Sequence, residues 1–325
     1  MTNKEIYRKT LVFSVRRLLI DFIGVALMAG MCVLGFIVLD KTMDQGIIGL
    51  FIGLIVGIII MAVIAHFISY SLKAGQIAMM TRGITDGVLP ENVYAEGKAV
   101  VKKRFATVAA YYAITNVIKG IFNQIGKGIT AVGEMVGGDA GSTVGSAISS
   151  AIQVVVAYLC DCCLGWVFYR EGTSAAKATC EGAVLFFKHG KTLAKNMGRV
   201  FGMGILSLLI IGGAFTGVFY LIFMLIPDAF TALSNEIVQI SAETESTPPE
   251  FLTNPTTLMI ISAVVLGVIL WNIIHSAFIR PFVLTGVLRN YIESGKNDIP
   301  SESSFSMLDK KSAKFAKLHR EVKNA

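Results

Sequence analysis

Charge is scarce in this sequence. Only 16% of its 325 residues are Asp, Glu, Lys or Arg and 54% are hydrophobic, whereas soluble domains average about 25% charged and about 45–50% apolar. A balance this far from the average excludes a soluble globular domain and a disordered chain alike, and points to a membrane protein. Histidine is also rare, with four residues (His66, His189, His275, His319) scattered along the chain. There is no GxSxG, no HExxH, no phosphate loop and no grouping of Ser, His and Asp on which to build a nucleophile. The chain is therefore not expected to be an enzyme, and no cofactor is expected. The five cysteines (Cys32, Cys160, Cys162, Cys163, Cys180) are odd in number and fall in predicted helices or on a basic face, so no disulfide framework is implied. The run Cys160-Asp161-Cys162-Cys163 lacks the C-x-x-C spacing and neighbouring histidine that zinc selects. Free packing thiols and no metal are expected.

Long apolar runs are plentiful. Six segments reach the roughly 20 residues a hydrocarbon core requires: 18–39, 47–69, 105–122, 147–169, 200–226 and 257–279. The third is the weakest, because Asn116 and Lys119 interrupt it. Basic residues ahead of the first run resemble a signal peptide, but the run is too long and no small-x-small cleavage site closes it. Met31 before Cys32 also rules out a lipoprotein signal. The expected fold class is all-α, a polytopic integral membrane bundle of about six spans with amphipathic helices on the cytoplasmic face. It comprises a cytoplasmic N-terminus (1–17), a transmembrane domain (18–282) and a basic cytoplasmic tail (283–325).

The distribution of charge orients this bundle. Of the 29 Lys and Arg residues, 26 lie in the N-terminus, the 70–104 and 170–199 segments and the tail from Arg280; the alternate connections hold only Lys41, Lys119 and Lys127. Both termini are thus expected on the cytoplasmic side, most simply of the plasma membrane. The formal charge of +7 sits beside apolar segments rather than in a soluble domain. It predicts anionic lipid headgroups as partners, and no nucleic acid.

The stretch from Cys160 to Arg199 carries the most local information. Trp166, Phe168 and Tyr169 read as an aromatic belt at a membrane interface. On a helix, Lys177, Lys188, Lys191, Lys195 and Arg199 fall in one sector, with Ala183, Phe186, Phe187, Leu193 and Met197 roughly opposite. That pattern predicts a helix lying on an anionic membrane surface. The tail repeats the device, with Leu308, Phe315, Leu318 and Val322 on one face and Lys310, Lys311, Lys314 and Lys317 flanking it.

Small residues mark helix contacts. Gly49, Gly53 and Gly57 form a ridge on the second helix, and Gly213 and Gly217 repeat it on the fifth; in lipid such ridges let backbones approach closely. The Gly, Ala and Ser-rich segment 123–146 reads either as a re-entrant hairpin or as a flexible outer loop. The three returns after helices two, four and six are alike enough to suggest a threefold repeat of hairpin plus surface helix, although shared composition produces the same impression.

Ionisable residues inside apolar helices are costly and are the first candidates for function. Asp161 is the clearest. His66 and His275 fall in the cytoplasmic halves of their helices and form with it a candidate substrate or proton layer, in which a desolvated carboxylate takes up a proton or holds a cation. The bland reading is that Asp161 ties helices together by hydrogen bonds and the histidines are wetted at the interface.

The run CCLGWVFY, followed by TSAAKATCEGAVLFFKHGKTLAKN, two apolar helices and a polar tail, resembles the C-terminal half of choline transporter-like proteins. Ser174, Ala175, Lys177 and Asn196 match residue types of that family. Asp161 in mid-helix and the glycine-lined second helix point to a transporter or permease for a small solute, cationic solutes included. The alternative reading is a non-catalytic membrane-organising or adaptor protein whose basic amphipathic helices bind anionic lipid and a soluble partner. Self-association into a homo-oligomer fits either.

Overall fold

The structure, a computed structural model, describes residues 1–324 apart from 44, 65–67, 106–109, 111–112, 122, 125–140, 195–196 and 244–246. Every regular element among the described residues is helical. The first helix, α1 (Asn3–Met43), has 41 residues and runs for about 60 Å, roughly twice the thickness of a hydrocarbon core. Its two halves differ in surroundings. Ile6, Thr10, Phe13 and Ser14 are buried in protein, whereas Leu19, Ile23, Leu27, Val33, Leu34 and Ile37 are exposed.

The partner of that exposed half is α2 (Gly46–Ile64), and the two pack as a hairpin through small residues. Gly46, Gly49, Gly53 and Gly57 are the buried positions of α2. A Cβ at Gly49 would collide with the Gly35 carbonyl, and one at Gly53 with the carbonyl of Met31. The expected ridge is therefore the contact itself, with Gly35 as its counterpart on α1. Outward, Phe51, Ile55, Ile58 and Ile59 are exposed, a surface that water would not tolerate over this length.

Beyond the hairpin the chain builds a close-packed helical head. It contains α3 (Tyr70–Thr85), α4 (Val93–Arg104), α5 (113–121), the end of α6 (Gly141–Tyr169), α7 (Ala175–Ala194), α13 (Arg280–Asn297) and the tail helices α14 (Ser306–Asp309) and α15 (Ala313–Lys323). Side chains close the helix starts locally. The Asn92 carbonyl oxygen accepts the Ala95 N–H, and the Ser312 hydroxyl accepts the Phe315 N–H, caps worth about 1 kcal/mol each. Gly87, at φ +72°, provides the left-handed turn between α3 and α4 that a side chain would disfavour. One core cluster joins Ile118 and Ile121 of α5, Leu159 and Cys163 of α6, Cys180 and Val184 of α7, and Phe305, Leu308, Phe315 and Leu318 of the tail. The tail helix is amphipathic as expected. Its apolar face lies on protein, where Phe315 and Leu318 each contribute about 1.5–3 kcal/mol by burial.

Two compact units divide the chain: Met1–Gly198 with Pro281–Ala325, and Arg199–Arg280. Within the second unit, one apolar helix runs over Arg199–Phe223 and packs on α12 (Pro255–Ile274). The first of these helices is built from α8 (Met197–Ser207), a π-helical turn at Leu208–Gly212 and α9 (Gly213–Phe223). Between the two lie α10 (Pro227–Glu243) and the short α11 (Glu250–Thr253). The Asn254 side chain caps α12 by accepting the Thr257 N–H, with Pro255 at its first position, where a missing N–H costs nothing. The contact residues here are Gly212 and Gly267, since a Cβ at Gly267 would meet Thr216 and the Gly212 carbonyl. Gly213 and Gly217, expected at this contact, face open space. The neighbouring face one residue earlier, Gly212 and Thr216, makes the contact instead; four-residue spacing puts two glycines on one face but does not say which face meets a partner.

Four helices among the described residues are long and apolar enough to cross a membrane: Asn3–Met43, Gly46–Ile64, Arg199–Phe223 and the apolar part of Pro255–Asn297. They correspond to the expected segments 18–39, 47–69, 200–226 and 257–279. The expected span 147–169 corresponds to the end of α6. Every residue from Tyr158 to Phe168 is buried against protein. Of the expected span 105–122, residues 113–121 form α5, whose Ile118 and Ile121 lie in the core of the head. Most of the 123–146 segment, and with it the choice between re-entrant hairpin and loop, lies outside the described residues.

Candidate functional site

Asp161 sits on α6 between Cys160 and Cys162, all three buried. The apolar run around it packs against α3 on one side and α7 on another. α3 brings Lys73 to it. The Lys73 ammonium lies 2.6 Å from Asp161 Oδ1, with the lysine side chain 23% exposed and the aspartate 5%. The lysine keeps partial access to water while its charged end reaches inward, as long basic side chains do. The pair ties α6 to α3 inside the head.

A second ionic centre lies a few turns on. Glu181 of α7 is fully buried, and its carboxylate accepts from Arg170 Nε (2.9 Å), from the Arg170 terminal nitrogen (3.2 Å) and from Trp166 Nε1 (3.1 Å). This is a bidentate, charge-assisted arrangement. Trp166 is wholly enclosed and packs against the α13 backbone at Gly295, where even a methyl group would clash with the indole. Arg104 closes the end of α6 by donating to the carbonyls of Thr173 (2.7 Å), Arg170 (3.2 Å) and Glu171 (3.3 Å). Burial lowers the Arg104 pKa, and the nearby Glu171 charge opposes that shift. None of these roles was visible in the sequence, where Arg104 counts only among the basic residues of the 70–104 segment. The one available signal was an acid in the middle of an apolar face, beside Cys180 and Ala183.

Between α3, α4 and the end of α6 opens a cleft of about 700 Å³. Ala78, Met79, Ala99, Val100 and Phe168 form its apolar lining. Arg82 on its rim pairs with Glu96 at 2.9 Å and Asp86 at 3.6 Å, and Lys103 pairs with Glu171 at 3.8 Å. Such a surface, apolar below and charged with both signs above, suits a small amphipathic solute or a side chain presented by another protein.

His66 lies outside the described residues. His275, in a π-helical turn (His275–Ile279) of the second unit, rests tilted on Trp271 with ring centres 5.2 Å apart, and Trp271 donates to Ser207. On α7, Ala178, Cys180, Ala183, Val184 and Leu185 are buried in the head, so protein covers that part of the apolar face. Lys177 and Arg199 are exposed. Lys188 donates to Asp298 at 2.8 Å, and this hydrogen bond holds the Asp298 carboxyl below its ordinary value. Lys191 is on the backbone of α7, and Lys195 is outside the described residues. Burial raises the Cys180 thiol to about 12, helped by the charges of Asp309 and Glu181, which leaves it unreactive at neutral pH. Among the described residues no three His, Cys, Asp or Glu side chains gather as metal ligands. Compared with protein-family models, with curated proteins and with solved structures, the chain matches none.

Proposed function

We propose that this chain is a multi-pass integral membrane protein whose apolar helices anchor a basic helical head at the cytoplasmic surface, where it serves as a non-catalytic membrane-organising or adaptor protein. The observation that carries this reading is the Lys73–Asp161 pair. A carboxylate already neutralised by an ammonium inside a packed core acts as a tie between helices, not as a vacant site for a cation. Four spans put both termini and the whole head on one side. Every Lys and Arg except Lys41 then lies on that side, which is the asymmetry expected of a cytoplasmic face. The exposed bases Lys98, Lys102, Lys177 and Lys317 face anionic headgroups or a soluble partner, and the cleft beside Arg82 offers that partner a docking point.

The second reading, a transporter or permease for a small cationic solute, rests on the burial of Asp161 and on the resemblance to choline transporter-like proteins. One experiment separates the two. Purified protein in proteoliposomes is assayed for uptake of a panel of small organic cations, choline included, alongside Asp161→Asn. The adaptor reading expects no uptake by either protein. Uptake by the wild type that Asp161→Asn abolishes at unchanged thermal stability establishes transport instead.

A further inference from the structure

The connection between α9 and α12 contains a helix that the hairpin alone does not explain. α10 has 17 residues and touches its own unit along one edge only, through Phe230, Ser234 and Ile237. Phe230 packs tilted against Phe223 with ring centres 4.9 Å apart, and the Ser234 hydroxyl donates to the Thr253 carbonyl at 2.6 Å. At 3.6 residues per turn, the remaining surface divides into two flanks. Ala229, Leu233 and Ile240 lie on one, with Ile226 in line just before the helix, Glu236 at its rim, and Thr231 and Val238 on the side beyond Phe230. Asp228, Asn235 and Gln239 lie on the other, and the residues of both flanks are exposed.

We propose that α10 lies in the lipid interface of the non-cytoplasmic leaflet, with the Ala229–Leu233 flank in the acyl-chain boundary and the Asp228–Asn235–Gln239 flank in water. The inference rests on the reading that Arg199–Phe223 and α12 span the bilayer. Three observations commit the apolar flank to lipid. It continues the exposed apolar surface of the preceding helix, where Leu221 is 64% and Leu225 81% exposed. The Arg199–Phe223 helix is 25 residues long, about 37 Å, so its end at Phe223 reaches the far headgroup level, where Tyr220, Phe223 and Phe230 gather as interfacial aromatics do. Residues 200–279 contain five acids and no Lys or Arg, so the surface suits the neutral headgroups of that leaflet rather than anionic ones.

The test uses the full chain in phosphatidylcholine nanodiscs, in a Cys32→Ser background whose other cysteines are buried. Nitroxide labels are attached at Leu233→Cys, Asn235→Cys and Val264→Cys, and relaxation by oxygen is compared with relaxation by a water-soluble nickel chelate. The expected oxygen-to-nickel ratio at position 233 is close to that at 264 and severalfold above that at 235. Equal nickel access at 233 and 235 overturns the proposal by placing α10 in water. Shielding of 233 from both reagents overturns it in favour of a protein cover such as a second copy. Nickel access at 264 marks failure of the spanning reading instead.

Discussion

Replacing Asp161 with Leu leaves the Lys73 ammonium facing a core lined by Cys160, Cys162 and Leu159 with its close partner gone. Removing one member of a buried ion pair costs about 3–5 kcal/mol, because the remaining charge stays desolvated. Lys73 retains 23% exposure and can retreat toward water, which favours the lower end of that range. For a folded unit of roughly 150–250 residues, each kcal/mol moves the melting temperature by about 2–4 °C, so Asp161→Leu should lower it by roughly 6–12 °C or more. Asp161→Asn keeps the shape and a hydrogen-bond acceptor, and should cost about 1–3 kcal/mol. The double variant Lys73→Met/Asp161→Leu removes both charges and should recover most of the loss, since an apolar replacement of a buried pair is often neutral or stabilising. The assay is thermal unfolding in nanodiscs followed by fluorescence, with Trp271→Phe present so that Trp166 alone reports on the head. Asp161→Leu melting with the wild type, or the double variant melting below the single, would refute the reasoning that the pair is a tie inside a packed core.

Substitutions at the hairpin glycines should sort by contact rather than by sequence pattern. Gly53→Leu forces a side chain against the Met31 backbone and should lower stability by about 1–3 kcal/mol or prevent folding, whereas Gly217→Leu, with open space around it, should be neutral in the same melt. Maleimide applied to the folded protein at neutral pH should leave Cys160, Cys162, Cys163 and Cys180 unlabelled, all four being buried, and label them after denaturation, as counted by intact mass. At alkaline pH the sign follows from the raised Cys180 thiol. The unfolded chain loses that proton near its ordinary value of 9.0 and the folded chain only near about 12. The contribution of Cys180 to stability is therefore complete below the lower value and declines as pH rises between the two. Cys180→Ala should flatten that decline in denaturant midpoints measured across the alkaline range.

What was legible in the sequence was whatever depends on neighbours along one helix. Gly49, Gly53 and Gly57 recur every fourth residue and mark a true contact, because α2 is regular. At Gly213 and Gly217 the same spacing marks a face that meets nothing within 4 Å, while Gly212 and Thr216 beside it make the contact, because spacing along one helix does not say where its neighbour lies. The aromatic run of Trp166, Phe168 and Tyr169 reads equally well as a membrane belt or as a protein core, since aromatic rings are favoured in both. Which applies is decided by α3, α7 and α13, whose faces come from distant parts of the chain. Amphipathicity revealed α7 and α15 but not what covers them. The Lys73–Asp161 pair was half legible: the acid stood out in its apolar run, while its base lay in a separate segment where it counted only toward orientation.

Tryptophan quenching by brominated lipid tests the central claim, that the end of α6 belongs to a protein core and not to the bilayer, more directly than any other measurement. The chain has two tryptophans, Trp166 enclosed in the head and Trp271 on α12. In vesicles of dibrominated phosphatidylcholine, wild-type emission should be quenched, and Trp271→Phe, in which only Trp166 emits, should be nearly unaffected. Quenching of Trp166 in Trp271→Phe as strong as that of the wild type would put the α6 end among the lipids, and would contradict the account of a four-span anchor carrying a folded head.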